Sequence, residues 1–138
     1  MNKVPEDTGD LKIFSLKKAE RLNSKKIIDK LFAEGDSILQ YPLKMVFLKT
    51  KLPVDCPAQT AFTVSKKNFK RAVKRNRIKR VLREAYRINK HIIYDEFKDE
   101  QLAVFIIFIG KELPEYIDIE IATRKGLNKV IKKCRNKI

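Results

Sequence analysis

Apolar positions recur along this chain in several distinct rhythms, and each rhythm predicts an element. In NSKKIIDKLFAEGDS, Ile27, Ile28, Leu31 and Phe32 fall three and four residues apart, Asn23 or Ser24 stands where a cap belongs, and Gly35 ends the run. The spacing predicts a helix over about 24–34. Pro42 opens LKMVFLKT, and QTAFTVS at 59–65 follows a loop holding Pro53 and Pro57. Both runs are short and rich in β-formers, so they predict two strands, expected to pair antiparallel with each other. From Ile78 onward, Ile78, Val81, Leu82, Ala85, Tyr86, Ile92 and Ile93 follow one helical face, which reads as one long helix. After the acidic DEFKDEQ, the run LAVFIIFI at 102–109 reads as a strand buried on both faces, and Leu127, Val130, Ile131 and Cys134 form the stripe of a final helix. The order α-β-β-α-β-α, with room for one extra short strand, predicts an α+β two-layer sandwich in which helices pack a small sheet. Residues 1–12, polar and holding Pro5 and Gly9, read as a flexible N-terminal tail, and 13–138 as a single domain, a size that 43% hydrophobic content can supply with a core.

Charge changes this picture most. Lys and Arg number 32 against 17 Asp and Glu, a formal +15, which at this length points to a polyanionic partner. The charge is concentrated: residues 65–90 hold twelve basic side chains and one acid, Glu84. Wound at about 100° per residue, Asn76, Arg80, Arg83 and Arg87 share a narrow sector opposite the apolar stripe, with Arg77 and Lys79 on its shoulders. Lys74 and Arg75 point along the stripe itself, so the first turn is expected to project beyond the sheet. A solvated helix face usually mixes signs at i, i+4 for mutual support, whereas this one stacks like charges. Phosphates would neutralise it, since arginine forks bind them bidentately and each contact releases counterions.

The remaining chemistry is sparse. Cys56 and Cys134 lie in no CxxC or Cys/His spacing, which suggests neither a zinc site nor a disulfide and fits a reducing compartment. No run is long enough to span a bilayer, and MNKVPEDTGD lacks a signal-peptide core, so a cytoplasmic location is expected. Hydrolysis of a phosphodiester by protein groups needs carboxylates for metal ions, a histidine pair or an activated nucleophile. The chain offers a single histidine, His91, no glycine-rich phosphate loop, and an acid cluster, Asp95, Glu96, Asp99 and Glu100, whose spacing matches no ligand set. These are a binder's residues, with no catalytic residue and no metal site expected in the protein.

The stretch FTVSKKNFKRAVKRNRIKRVLREAYR, residues 62–87, strongly resembles the signature of the protein subunit of bacterial ribonuclease P, an RNR.KR..RE helix preceded by VSKK. The resemblance extends more weakly over ERLNSKKIIDKLFAEGDS at 20–37 and agrees with the order of elements. It implies an RNA-binding protein subunit of the ribonuclease P ribonucleoprotein, an endonuclease and hydrolase of tRNA processing that removes the 5′ leader of precursor tRNA. The catalytic centre would lie in the RNA, with magnesium as cofactor bound mainly by that RNA. The implied partners are the catalytic RNA subunit and the precursor tRNA 5′ leader, with one protein monomer per RNA, and the implied fold includes a left-handed βαβ crossover. The surface expected to meet the RNA subunit comprises Lys66, Lys67, Lys70, Arg71, Lys74, Arg75, Asn76, Arg77, Lys79, Arg80, Arg83 and Arg87. The cleft expected to hold the leader comprises Phe32, Ile28, Phe47, Phe62 and Ser65. Ile28 stands where family members often carry an aromatic. Phe47 is the natural strand partner for Phe32, and Val46 takes its place if the strand is read one residue earlier. Two other readings compete: a ribosomal or other structured-RNA-binding protein, and a self-sufficient metal-dependent nuclease.

Overall fold

The computed structural model describes residues 16–97 and 99–136. A 3-10 turn at Lys18–Glu20 leads into helix α1, Lys25–Glu34, followed by strands β1, Asp36–Gln40, β2, Leu43–Lys49, and β3, Ala58–Val64. Helices α2, Ala72–Asn89, and α3, His91–Glu96, precede strand β4, Leu102–Phe108, and the chain ends in α4, Tyr116–Asn136. The architecture is mixed α+β around one four-stranded sheet. The expected tail, 1–12, lies outside the described residues.

Local signals set the ends of α1. The Ser24 hydroxyl accepts from the Ile27 N–H at 3.3 Å, satisfying one of the helix's unpaired donors. At the other end the Gly35 N–H donates to Leu31 O at 2.8 Å. A Cβ on Gly35 would lie 2.4 Å from Leu31 O and 2.8 Å from Phe47 O, both backbone, so only glycine lets the chain turn this close to β2.

The sheet order is β1-β2-β4-β3, which corrects the expected pairing of the runs at 43–50 and 59–65. Strand β4 lies between them, antiparallel to β2 and parallel to β3. The physical reason is coverage. LAVFIIFI carries apolar side chains on both faces and must have both faces and both edges occupied, so it takes the centre. The extra short strand is β1, paired antiparallel with β2 through the turn at Tyr41 and Pro42.

Alternation sorts the strands' side chains into two cores. Leu43, Met45, Phe47, Val104, Ile106 and Phe108 face the layer of α2 and α4, meeting Ile78, Leu82, Tyr86, Ile119, Leu127 and Val130. Val46, Ala103 and Phe105 face the opposite way, toward Leu31 of α1 together with Leu22 and Leu52. The two long helices cover the first face, while the ten-residue α1 covers only part of the second. Edge strand β1 is guarded on its outer side: Lys129 Nζ donates to Leu39 O at 3.0 Å and Lys133 Nζ to Ser37 O at 2.9 Å, occupying carbonyls that could otherwise pair with another strand.

The long helix expected through Ile93 divides at Lys90, a second correction. Lys90 is only 3% exposed, and its ammonium lies 2.7 Å from the carboxylate of Glu20, itself 6% exposed. The Tyr94 hydroxyl donates to the same carboxylate, and the Lys17 N–H reaches its second oxygen at 2.8 Å. Next to Lys90, Asn89 Nδ2 donates to Ala85 O at 2.9 Å and to the Glu120 carboxylate at 3.1 Å. Polar partners at consecutive buried positions set the junction, and Ile93 still reaches the core. The N-terminal segment is thereby tied to the α2–α3 junction and, through the Leu22 N–H to Thr60 O at 3.0 Å, to the outer edge of β3.

Burial alone raises the pKa of Glu20, but the hydrogen bonds from Lys90, Tyr94 and the Lys17 N–H outweigh it, so the carboxyl titrates below its ordinary 4.5. A depressed folded-state pKa contributes stability that is present above pH 4.5 and is lost as pH falls through the folded value. Glu20→Gln should therefore flatten the acid limb of a stability-versus-pH curve measured by urea unfolding. Lys90→Met leaves a buried carboxylate unpaired and should cost about 3–5 kcal/mol at pH 7, a loss that the double variant Glu20→Gln/Lys90→Met largely reverses.

Candidate nucleic-acid interface

The cationic side chains occupy two adjoining pieces of backbone, the 65–71 loop and the outward face of α2. The loop leaves β3 and is held at several points. The Phe69 N–H donates to Ser65 O at 3.1 Å, the Phe69 ring packs 6.0 Å from that of Phe108, and Asn68 Nδ2 reaches Gly110 O at 3.2 Å and Ile109 O at 3.4 Å. Lys66, Lys67, Lys70, Arg71 and Lys74 are all exposed around this anchor. Helix α2 follows with no side-chain cap and no acid in its first turn. Its N-terminal partial charge therefore adds to the field of the lysines and arginines instead of offsetting it.

Along α2, Asn76, Arg77 and Arg80 are exposed, while Lys79, Arg83 and Arg87 are half-buried on the flanks of the ridge. Two arginines are already engaged. Arg75 turns back, and its Nη1 donates to Phe69 O at 2.8 Å and Lys70 O at 2.7 Å. Arg75 thus meets the preceding loop, whose free carbonyls lie within its reach, while Lys74 beside it is exposed. Arg87 chelates Glu84, Nη2 to Oε2 at 2.5 Å and Nε to Oε1 at 3.2 Å. That hydrogen bond holds the Glu84 carboxyl below its usual pKa and raises that of Arg87. The helix's one acid is spent on its C-terminal arginine, and the N-terminal half of the ridge keeps its charge.

The second surface lies on the face of the sheet that α1 covers only in part. Phe32 is 53% exposed, and its ring meets that of Phe105 edge-on, centroids 5.1 Å apart at 63°. Phe105 pairs across the ladder with Val46, so β2 presents Val46 here and the alternative strand parity holds. Phe47 and Phe62, expected in this cleft, point to the other face: Phe47 is 2% exposed in the core under α2 and α4, and Phe62 packs 5.7 Å from Tyr86. A strand's period of two puts neighbours on opposite faces, so a one-residue difference in reading moves the whole set. Ile28 packs half-buried beside this floor, and Ser65 is half-exposed where β3 ends. Beyond Phe105 the register lines up Leu39, Lys44, Ile107 and Thr63 across the four strands, with Leu39 and Lys44 exposed. The result is an open apolar trough with one lysine in its floor.

Sequence reasoning missed Phe105, Asn68 and Lys44. Phe105 sits in a run that is apolar on both faces, where alternation cannot tell one from the other. Asn68 and Lys44 carry no periodic signal at all.

Groups suited to catalysis do not gather at either surface. Among the described residues no cluster of three or more His, Cys, Asp or Glu could hold a metal ion. His91 is exposed, and burial pushes the thiol of Cys56 up, away from nucleophilic use. A cavity of ≈ 620 Å³ at the β1–β2 turn, lined by Tyr41, Phe108, Leu113 and Ile121, carries Lys111 as well as Glu112 and Asp118 in its wall. Among the described residues no helix is long and apolar enough to cross a membrane.

The family model described as Ribonuclease P matches residues 16–134. The ribonuclease P protein component of Porphyromonas gingivalis is 39% identical over 119 residues, 85% of this chain and 87% of that protein. The one from Chlorobium phaeobacteroides is 39% identical over 123 residues, 80% of this chain and 84% of that protein. Among solved structures, the ribonuclease P protein of Staphylococcus aureus superposes with a TM-score of 0.66 at 22% identity, covering 82% of this chain and 96% of that one. The protein from Thermotoga maritima gives 0.55 at 22%, covering 83% and 96%. These two likenesses show the fold.

Exposure separates the aromatic residues energetically. Phe47→Ala should cost about 3–5 kcal/mol in denaturant unfolding, as an emptied core position does, whereas half-exposed Phe32→Ala should cost under about 1.5 kcal/mol. Equal losses would mean that Phe32 is a core residue and the trough is closed.

Proposed function

Because this chain belongs to the ribonuclease P protein family, we propose that it is the RNA-binding protein subunit of a ribonuclease P holoenzyme, assisting a catalytic RNA in removing the 5′ leader from precursor tRNA. The observation that carries the reading is the pairing, on one small domain, of a cationic ridge held on stiff backbone with a separate open trough floored by Phe105 and Val46 beside exposed Phe32.

The two surfaces divide the work by chemistry. Lys66, Lys67, Lys70, Arg77 and Arg80 neutralise phosphates of the RNA subunit, a sequence-independent attraction that positions the protein and weakens with salt. Asn76, exposed among them, offers both a donor pair and an acceptor, so it can meet groups that a point charge cannot. The trough takes single-stranded RNA. A base stacks on the free face of Phe32, a contact that every base can make, and Lys44 meets the backbone beside it. Binding the leader on the same body that binds the RNA subunit raises the local concentration of substrate at the RNA's centre. Bond breaking is left to the RNA and to magnesium ions held chiefly by it, which agrees with a ridge rich in cations whose one acid is Glu84. The working complex is one protein per RNA, located in the cytoplasm.

The test is reconstitution. A precursor tRNA with magnesium and protein alone should stay intact, and cleavage should appear on adding a bacterial ribonuclease P RNA transcript. Cleavage by the protein alone that disappears on changing an acidic residue would replace this reading with that of a self-sufficient nuclease. Stable binding with no effect on leader removal would favour another structured-RNA binder. Arg80→Ala should reduce the slope of log affinity against log salt for the RNA subunit by about one. Phe32→Ala should weaken binding of leader-bearing precursor more than of mature tRNA, by about 1–3 kcal/mol.

A further inference from the structure

The seven residues between β3 and α2 carry Lys66, Lys67, Lys70 and Arg71, four exposed cations whose mutual repulsion would splay an unsupported loop. Two side chains oppose that. Arg75 places a single nitrogen between two carbonyls of the loop, 2.8 Å from Phe69 O and 2.7 Å from Lys70 O. Asn68 crosses to the far end of β4 and gives its amide to Gly110 O at 3.2 Å and Ile109 O at 3.4 Å, just past the last ladder position. The Phe69 ring, 7% exposed against Phe108, is the apolar pin between the two. The loop is thereby fastened forward to its own helix and sideways to the central strand.

We propose that Asn68 and Arg75 are positioning residues, which hold the 65–71 loop in the shape that presents Lys66, Lys67 and Lys70 to RNA phosphates. Arg75 does so by giving its guanidinium to backbone carbonyls in place of phosphate. The proposal rests on the reading of this loop and α2 as an RNA surface. Its physical content is preorganisation: a loop already fixed loses little conformational freedom on binding, and the fixation comes from an uncharged amide as well as an arginine. Asn68 therefore separates shape from charge, because removing it alters the loop without altering electrostatics.

The experiment uses full-length protein with Asn68→Ala, Arg75→Ala, the double variant, and Arg80→Ala for comparison. Backbone amide exchange is followed in the free protein, and affinity for a bacterial ribonuclease P RNA transcript is measured across a salt series. Asn68→Ala should speed exchange over 66–71 by about tenfold while α1 stays as protected as before. It should lower RNA affinity roughly 2- to 10-fold with an unchanged salt slope. The double variant should bind about as well as the weaker single variant, since both release the same loop. Unchanged exchange in Asn68→Ala would overturn the proposal. So would Arg75→Ala that lowers the slope by about one, as Arg80→Ala does, with losses that add to those of Asn68→Ala. If Arg80→Ala weakens binding and Asn68→Ala does not, the positioning role fails alone. If neither weakens it, the RNA reading of α2 fails and the positioning role with it.

Discussion

Burial of β4 on both faces is the constraint from which both candidate surfaces hang. Its side chains serve two cores in alternation, Val104, Ile106 and Phe108 toward the long helices and Ala103 and Phe105 toward α1. Each large side chain so buried contributes about 1.5–3 kcal/mol, so the strand cannot shift register without emptying both layers at once. The consequences reach the surface in two steps. Phe105 fixes the edge-on partner of Phe32 and hence the trough, and Phe108 receives Phe69 while the carbonyls just beyond it receive Asn68. One strand therefore sets the positions of the aromatic surface and of the cationic loop on opposite sides of the sheet.

Electrostatics explains why such rigidity is useful. The protein carries +15, and the 65–90 segment concentrates most of that charge where the backbone cannot spread it. Self-repulsion destabilises the free protein, and a bound polyanion would relieve it, so that folding and such binding would favour each other. Among the described residues the ion pairs leave the N-terminal half of that ridge without an acidic partner. Glu84 pairs with Arg87 at the C-terminal end of α2, Glu120 with Arg124 on α4, and Glu20 with Lys90 in the interior. The last pair is the only one of these that is buried, and it ties the N-terminal turn to the end of the helix that carries the ridge.

Much of this was legible in the sequence, for identifiable reasons. Short-range signals held where one residue decides: the Ser24 cap, the glycine at 35, the apolar stripe of α2, and exposure of Asn76 and Arg80, whereas Arg83 and Arg87, expected in the same sector, are half-buried and the shoulder residue Arg77 is exposed. Signals that depend on partners far along the chain were not readable. Nothing in QTAFTVS or LKMVFLKT says that a strand sixty residues after the first will come between them. The face of Phe47 depended on a parity that only the Val46–Phe105 pair resolves. Arg75 looked like its neighbours because periodicity gives a side chain's direction and says nothing of carbonyls left free by a preceding loop. Lys90 looked like one more surface cation until its partner seventy residues earlier was in place.

The aliphatic Ile28 beside Phe32 bears on how the trough could work. An aromatic one turn before Phe32 would supply a second stacking platform, and its absence leaves Phe32 as the exposed ring of α1. That ring is not free to drift: it meets the Phe105 ring at 63° with centroids 5.1 Å apart, and an edge-to-face pair of this kind is worth about 0.5–1.5 kcal/mol beyond area burial. A base laid on Phe32 would then meet a platform whose orientation is already set and would restrict few additional rotamers. One fixed ring can recover part of what two looser ones provide, because stacking strength depends on the face offered and on how little freedom is lost in offering it. On the proposed reading, support from below by Phe105 would take over some of the role that a neighbouring aromatic would play from the side.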